Sequence, residues 1–151
     1  MNVHVDLHSP VEKYYEEQLL AEIAQETIQK SGVISRDDID ITISVAIVDE
    51  IEMQRVNNEF RNKNIVTDVI SIGDYSDNID ISSVNKSKIF LGEVILCYNF
   101  IEQFARENNV KIDKEFFTIY SHGVLHLLGL QHGDEMFTLQ DAVSEKFCYN
   151  K

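Results

Sequence analysis

With 151 residues, 44% hydrophobic and 26% charged, the chain is long enough to close one hydrophobic core without disulfides or repeats. Its 26 acidic residues against 13 basic ones give a formal net charge of −13, which argues against a broad electrostatic nucleic-acid binder, because phosphate contacts dominate that kind of affinity. No stretch approaches the apolar length of a membrane span, no secretory signal is visible, and Cys97 and Cys148 form no C-x-x-C pair, so a cytoplasmic protein with two buried, reduced thiols is expected.

Val3, Val5 and Leu7 alternate with polar residues and predict a short half-buried strand. Ser9-Pro10-Val11-Glu12 reads as a helix start: Ser9 can cap, Pro10 suits the first helical position, and Glu12 closes a capping box. This helix should carry Val11, Tyr15, Leu19, Ile23 and Ile28 inward and end near Gly32. Residues 39–48 are β-branched and alternating, hence a strand. Asp49 can cap the helix that follows, through Met53, Val56 and Phe60. After a polar link, residues 68–72 form another strand. Residues 73–88, rich in Asp, Asn and Ser, read as a long exposed loop, and such loops are often functional. Residues 88–97 predict a strand buried on both faces. Residues 98–108 form a helix, and Asp113 is placed as the cap of the next, which runs through His122 and His126. That helix is apolar nearly all round (Phe116, Phe117, Ile119, Tyr120, Val124, Leu125, Leu128), so it should be central and buried. A last helix covers residues 137–149. Strands and helices do not alternate strictly. The expected fold class is therefore α+β: one domain over residues 1–151, a mixed four-stranded sheet with helices packed around the buried one.

That buried helix ends in His122-Gly123-Val124-Leu125-His126-Leu127-Leu128-Gly129-Leu130-Gln131-His132. Residues four apart on a helix lie about 40° apart around the axis and about 6 Å apart along it, so both imidazoles can reach one ion. Gly129 can adopt the left-handed conformation that stops the helix and carries His132 toward the same point. Three nitrogen ligands leave a fourth tetrahedral position for water or substrate, the mark of a catalytic zinc. One Zn²⁺ per chain is expected at His122, His126 and His132, although three imidazoles also suit nickel, copper or iron. Nothing points to a dinucleotide cofactor. Zinc peptidases of the H-E-x-x-H type place a glutamate after the first histidine as general base. Here that position is Gly123, which counts against a peptidase. His4 and His8 are also four apart but flank a strand end, and read as surface residues.

A second patch runs Asn57-Asn58-Glu59-Phe60-Arg61-Asn62-Lys63 and then Thr67-Asp68-Val69-Ile70-Ser71. Arg61 offers a planar fork of donors suited to phosphate, although an arginine at a helix C-terminus is more often a solvated cation favoured by the helix dipole. Asp68, taken alone, reads as a turn or capping residue.

Together these segments resemble the YbeY family of bacterial rRNA-maturation endoribonucleases. The chain matches that family's H-G-x-L-H-L-x-G-x-x-H at residues 122–132 and its N-x-x-[FY]-R-x-K…T-D-V-[LI]-S at residues 57–71. Gly92-Glu93-Val94-Ile95 and Met136-Phe137-Thr138-Leu139-Gln140 match a strand and the closing helix, so the resemblance spans residues 40–148. It implies a zinc held by His122, His126 and His132, and a functional role for Arg61 beside it. It also implies cleavage of single-stranded ribosomal RNA, chiefly in maturing the 3′ end of small-subunit (16S) rRNA, with a part in ribosome quality control. The partners implied are ribosomal RNA and the small ribosomal subunit or its assembly proteins. On this reading Arg61 neutralises transition-state charge, while Lys63, with Lys86 or Lys88 from the loop, steers the RNA backbone. The chain departs from the family at Leu130-Gln131, where Tyr-Asp is usual, at Val66, where Pro is usual, and at Ile72-Gly73, where Phe-Pro is usual. No positioned general base can be named; Asp134 and Glu135 are the nearest acids in sequence, and each reads more simply as a solvated loop acid. Two other readings are a zinc metallopeptidase-like hydrolase and a non-catalytic, ribosome-associated module. In the second, zinc closed by a fourth ligand such as Asp134 only braces the C-terminal turn.

Overall fold

A computed structural model describes residues 1–9, 15–75 and 80–149 of the chain. In chain order the elements are β1 (Asn2–His8), α1 (Glu17–Ser31), β2 (Asp40–Val48), α2 (Glu50–Arg61), β3 (Val69–Ile72), β4 (Lys88–Cys97), α3 (Tyr98–Glu107), α4 (Ile112–Leu127) and α5 (Asp134–Tyr149), with a short 3₁₀ turn at Ile81–Ser83. The fold is α+β, as the element pattern predicts. Its mixed sheet has the order β1-β2-β4-β3, with β1, β2 and β4 parallel and β3 antiparallel to β4.

The core follows from the alternation along β2. Ile41, Ile43, Val45 and Ile47 are fully buried and turn toward the layer of α1 and α4. Phe116, Phe117, Tyr120, Val124 and Leu125 make α4 the central helix of that layer. Polar groups there are paired, as buried groups must be. Tyr120 donates from its hydroxyl to the Leu20 carbonyl at 3.0 Å, and the Thr27 and Ser121 hydroxyls lie 2.9 Å apart between α1 and α4. A smaller cluster of Val48, Met53, Val56, Ile70, Ile95 and Cys97 fills the opposite face under α2. Asp49 caps α2 as expected, its carboxylate accepting from the Glu52 amide at 2.8 Å.

Several boundaries differ from the sequence expectation. The helix start at Ser9 to Glu12 falls largely on residues 10–14, outside the described residues; α1 itself begins at Glu17 and ends on Gly32 at φ 70°. Tyr15 therefore precedes the helix, with its ring 4.4 Å from that of Phe116. Asp113 does not cap α4. Lys111 occupies that position, and the Asp113 carboxylate accepts from the Tyr15 hydroxyl at 2.8 Å, a tertiary partner that competes with the backbone. The last helix starts at Asp134, three residues earlier than expected, because two acids in its first turn suit the positive end of the helix dipole. The 73–88 segment is not wholly exposed, since Ile81 is buried. Along β4, Phe90 is 58% exposed, because α2 covers only the end of that face that carries Ile95 and Cys97. Cys97 is buried and Cys148 only partly so, and both thiols are free. Among the described residues no helix is long and apolar enough to cross a membrane.

One irregularity shapes the surroundings of the site. Thr42 pairs with Phe90 and Ile43 with Gly92, so Leu91 is the extra residue of a β-bulge. Gly92 takes φ 144°, and a Cβ there would stand 2.4 Å from the Ile72 carbonyl oxygen. A Cβ on Gly73 would likewise stand 2.6 Å from the Leu91 carbonyl oxygen. The bulge and the end of β3 thus touch backbone to backbone, which holds residues 72–73 beside the end of α4.

Candidate metal centre

His122 and His126 stand one turn apart near the C-terminus of α4. The helix then closes in a Schellman motif: Gly129 adopts φ 92°, its amide donates to the His126 carbonyl at 3.0 Å, and the Leu130 amide donates to the Leu125 carbonyl at 3.1 Å. This turn brings His132 back over the helix end. The three Nε2 atoms lie 3.0 Å (His122–His126), 2.9 Å (His126–His132) and 3.2 Å (His122–His132) apart. Ligand nitrogens each ~2.0 Å from one tetrahedral ion would be separated by about 3.3 Å, so the trio is close to a ligating arrangement. Among the described residues no carboxylate, thiol or further imidazole joins the cluster.

Protonation also suits a metal. The Gln140 Oε1 of α5 lies 2.7 Å from His122 Nδ1. An amide oxygen only accepts, so Nδ1 carries the hydrogen and the Nε2 lone pair faces its neighbours. Burial lowers the His122 pKa, opposed by the Gln140 hydrogen bond; the neighbouring His132 ring lowers it further, and Asp68 opposes. Burial also pushes His126 down, to about 4, with His122, His132 and Arg61 acting in the same direction and a hydrogen bond to the Leu130 backbone opposing them. Both rings are therefore neutral at pH 7, the form a metal requires. Gln140→Leu, which leaves His122 Nδ1 without its acceptor, should weaken binding of a divalent metal about 10- to 100-fold. Competition against a chelator measures this, and unchanged affinity would show that the orienting bond does not matter.

The trio opens into a cleft of about 590 Å³. Phe60 and Arg61 of α2, residues 67–73 around β3, and residues 130–132 complete its walls. Arg61 reaches it because α2 stops abruptly. Asn62 takes a left-handed φ of 55°, and buried Asn57 donates to the Ile65 carbonyl at 2.9 Å, folding the 62–66 link back on the helix. Arg61 is exposed, and its charge is felt at His126.

Other expected residues are placed elsewhere. Lys63 is exposed just past the end of α2 and is not among the cleft-lining residues. Lys88 shares a separate depression with His4, Asp40, Thr42 and Phe90. Lys86 is exposed, its carbonyl accepting from Arg36 at 2.8 Å. Asp134 and Glu135 are exposed in the first turn of α5 and do not join the histidine cluster. The acid in the cleft wall is instead Asp68, whose Oδ1 accepts from the Val69 amide at 2.7 Å and whose charge reaches His122. Asp68 and Gln140 were both legible only as parts of motifs, without a role. Gly123 faces away from the metal position: a Cβ there would meet Val94 Cγ1 at 2.8 Å and Ser71 Oγ at 3.2 Å. A side chain at 123 would point into the sheet, so it could not serve the metal as a base.

Comparison with known proteins was consistent with this geometry. The family model described as Endoribonuclease YbeY matches residues 6–147. Curated proteins of that description are similar to the chain: that of Staphylococcus carnosus is 36% identical over 96 residues, covering 64% of this chain and 62% of that protein. That of Borreliella afzelii is 38% identical over 93 residues, covering 62% and 60%. That of Bdellovibrio bacteriovorus is 32% identical over 124 residues, covering 78% and 75%. The match thus spans about three fifths of the length of the first two relatives. The solution structure of a Thermotoga maritima protein shares the fold, with a TM-score of 0.56 and 24% identity, over 98% of this chain and 93% of that one.

Proposed function

The chain belongs to the YbeY endoribonuclease family, and from that premise we infer that it is a zinc-dependent endoribonuclease acting on single-stranded RNA. Its proposed task is maturation of the 3′ end of small-subunit ribosomal RNA in the cytoplasm, with a part in ribosome quality control; the small subunit or its assembly proteins would present the substrate. The observation that carries this reading is the convergence of three imidazole Nε2 atoms and one guanidinium on a single open cleft.

Bound at His122, His126 and His132, zinc supplies Lewis acidity and a water of lowered pKa. The chain's own residues do the rest. The Gln140 carbonyl oxygen fixes the His122 tautomer at Nδ1. Arg61 pairs its fork of donors with the non-bridging phosphate oxygens, an interaction that strengthens as charge builds up on them. Asp68 is the one acid among the cleft-lining residues, with Oδ1 held by the Val69 amide, and is the group placed to hold a proton taken from the nucleophile. The peptidase reading lacks the glutamate of the H-E-x-x-H motif, since position 123 is glycine and faces the sheet. The bracing-module reading needs a fourth protein ligand, and among the described residues none joins the trio.

The test uses zinc-loaded protein and a single-stranded RNA carrying the 3′ end of small-subunit rRNA. Wild type should cleave it, while Arg61→Ala should lower kcat/KM about 10²- to 10³-fold with zinc content unchanged. Arg61→Lys should recover only part of the loss, because an ammonium keeps the charge but not the fork. Intact RNA under wild-type protein, or an Arg61→Ala variant as active as wild type, would sink the reading.

A further inference from the structure

Two large exposed apolar side chains flank the metal centre, one in the cleft wall and one beside His132. Phe60, the residue before Arg61 on α2, lines the cleft and is 55% exposed. Phe137, on the first turns of α5, is 46% exposed, with its ring centroid 6.3 Å from that of His132 and the two planes 31° apart. Both rings lie outside the two buried clusters. Each leaves unused about half of the ~1.5–3 kcal/mol that full burial of such a side chain yields, a cost that a role outside the core would explain.

Electrostatics makes the same site short of affinity. The chain carries a net charge of −13, and among the cleft-lining residues Arg61 is offset by Asp68. Counterion release from so few phosphate contacts is small, so a strand must be held by something other than charge. Exposed aromatic faces supply it. A base stacked on an aromatic side chain contributes ~1–3 kcal/mol, whatever the base, and only an unpaired base has a free face to offer.

We propose that Phe60 and Phe137 are base-stacking platforms flanking the metal centre, each taking one unpaired nucleobase of an RNA strand whose phosphate lies between Arg61 and the histidines. This rests on the endoribonuclease reading and adds the source of its strand selectivity: a duplex keeps its bases stacked on each other and cannot use the two rings. Because stacking tolerates every base, the cleft itself imposes little sequence preference. Its affinity should also fall only weakly with salt, with a log–log slope near −1 for one or two phosphate contacts.

The experiment uses the zinc-loaded full chain with a single-stranded RNA decamer containing 2-aminopurine, beside the same strand in a duplex. Wild type should quench the 2-aminopurine on binding and prefer the single strand. Phe60→Ala and Phe137→Ala should each raise KM for the single strand about 5- to 150-fold, the range of one lost stack, should reduce the quenching, with only the double variant abolishing it, and should narrow the preference over duplex. Phe→Trp at either position should restore both signals, and Phe→Leu, which keeps apolar bulk without a π face, should not. If wild type cleaves single strands while the alanine or leucine variants keep its KM, quenching and preference, stacking is wrong and the endoribonuclease reading stands. If wild type neither binds nor cleaves the RNA, both fall together.

Discussion

His126→Ala is expected to leave a folded chain that no longer retains zinc through gel filtration and cleaves single-stranded RNA at least ~10³-fold more slowly. His126 is the middle member of the trio: its Nε2 is 3.0 Å from that of His122 and 2.9 Å from that of His132. Removing a group that merely orients a ligand weakens metal binding ~10- to 100-fold, so removing the ligand itself exceeds that. The fold should tolerate the change, because His126 is only half-buried and sits at the cleft rather than among the core residues. The same residue gives the metal-free protein a distinctive response to acid. Its folded-state pKa, about 4, lies below the unfolded value of 6.5, so the unfolded chain takes up the proton first as pH falls. Stability is therefore complete above pH 6.5 and declines toward pH 4. Thermal melts with chelator present should show a decline between pH 7 and pH 5 that is shallower in His126→Ala than in wild type. In the folded protein, proton competition at His126 sets in only as pH approaches 4, since the ring stays neutral, and able to ligate, above that. Stoichiometric zinc in the variant would remove His126 from the ligand set.

What was legible in the sequence is what local geometry determines. Helical spacing brings His122 and His126 to one side, and Gly129 turns the chain, so the imidazole cluster follows from eleven consecutive residues. The α+β class follows from element types in the same way. Partners distant in sequence were not legible. Gln140 is 18 positions from His122 and meets it only because α5 folds back on α4. Asp68 looked like a turn residue, and its place in the cleft depends on β3 joining the sheet at the edge, antiparallel to β4. The loop lysines lie outside the cleft, for the converse reason. Lys88 opens β4 in a depression with His4, and nothing in its local sequence says which end of the strand meets the metal. Phe90 fits an inward pattern by composition, yet its exposure is decided by how far α2 reaches across the sheet.

Gly123→Glu, the substitution that would write the H-E-x-x-H peptidase signature into this chain, should destroy the fold instead of creating a peptidase. Gly123 packs α4 directly against the sheet. A Cβ would come within 2.8 Å of Val94 Cγ1 and 3.2 Å of both Val69 Cγ2 and Ser71 Oγ, all on short side chains with little room to move. Gly123 is also anchored, its carbonyl accepting from the Ser71 hydroxyl at 2.8 Å. Alanine alone should cost about 1–3 kcal/mol of overpacking, partly offset by the ~1 kcal/mol that alanine gains over glycine in a helix. Glutamate adds a longer side chain and a carboxylate pressed against Val94 and Val69 with no cation facing it, for a total above about 4 kcal/mol. Against the ~5–15 kcal/mol of a typical domain, that should give insoluble protein or a melting temperature lowered by about 10 °C or more. Even the milder Gly123→Ala should lose RNA cleavage beyond its stability cost. Moving α4 away from β3 separates His122, on the helix, from Asp68 and Arg61, on the other walls of the cleft. A soluble Gly123→Glu protein with the wild-type melting temperature and peptide-cleaving activity would overturn both the packing account and the exclusion of a peptidase. Loss of RNA cleavage in Gly123→Ala, with zinc retained and little change in melting, would instead show that the distance between helix and sheet sets the geometry of the site.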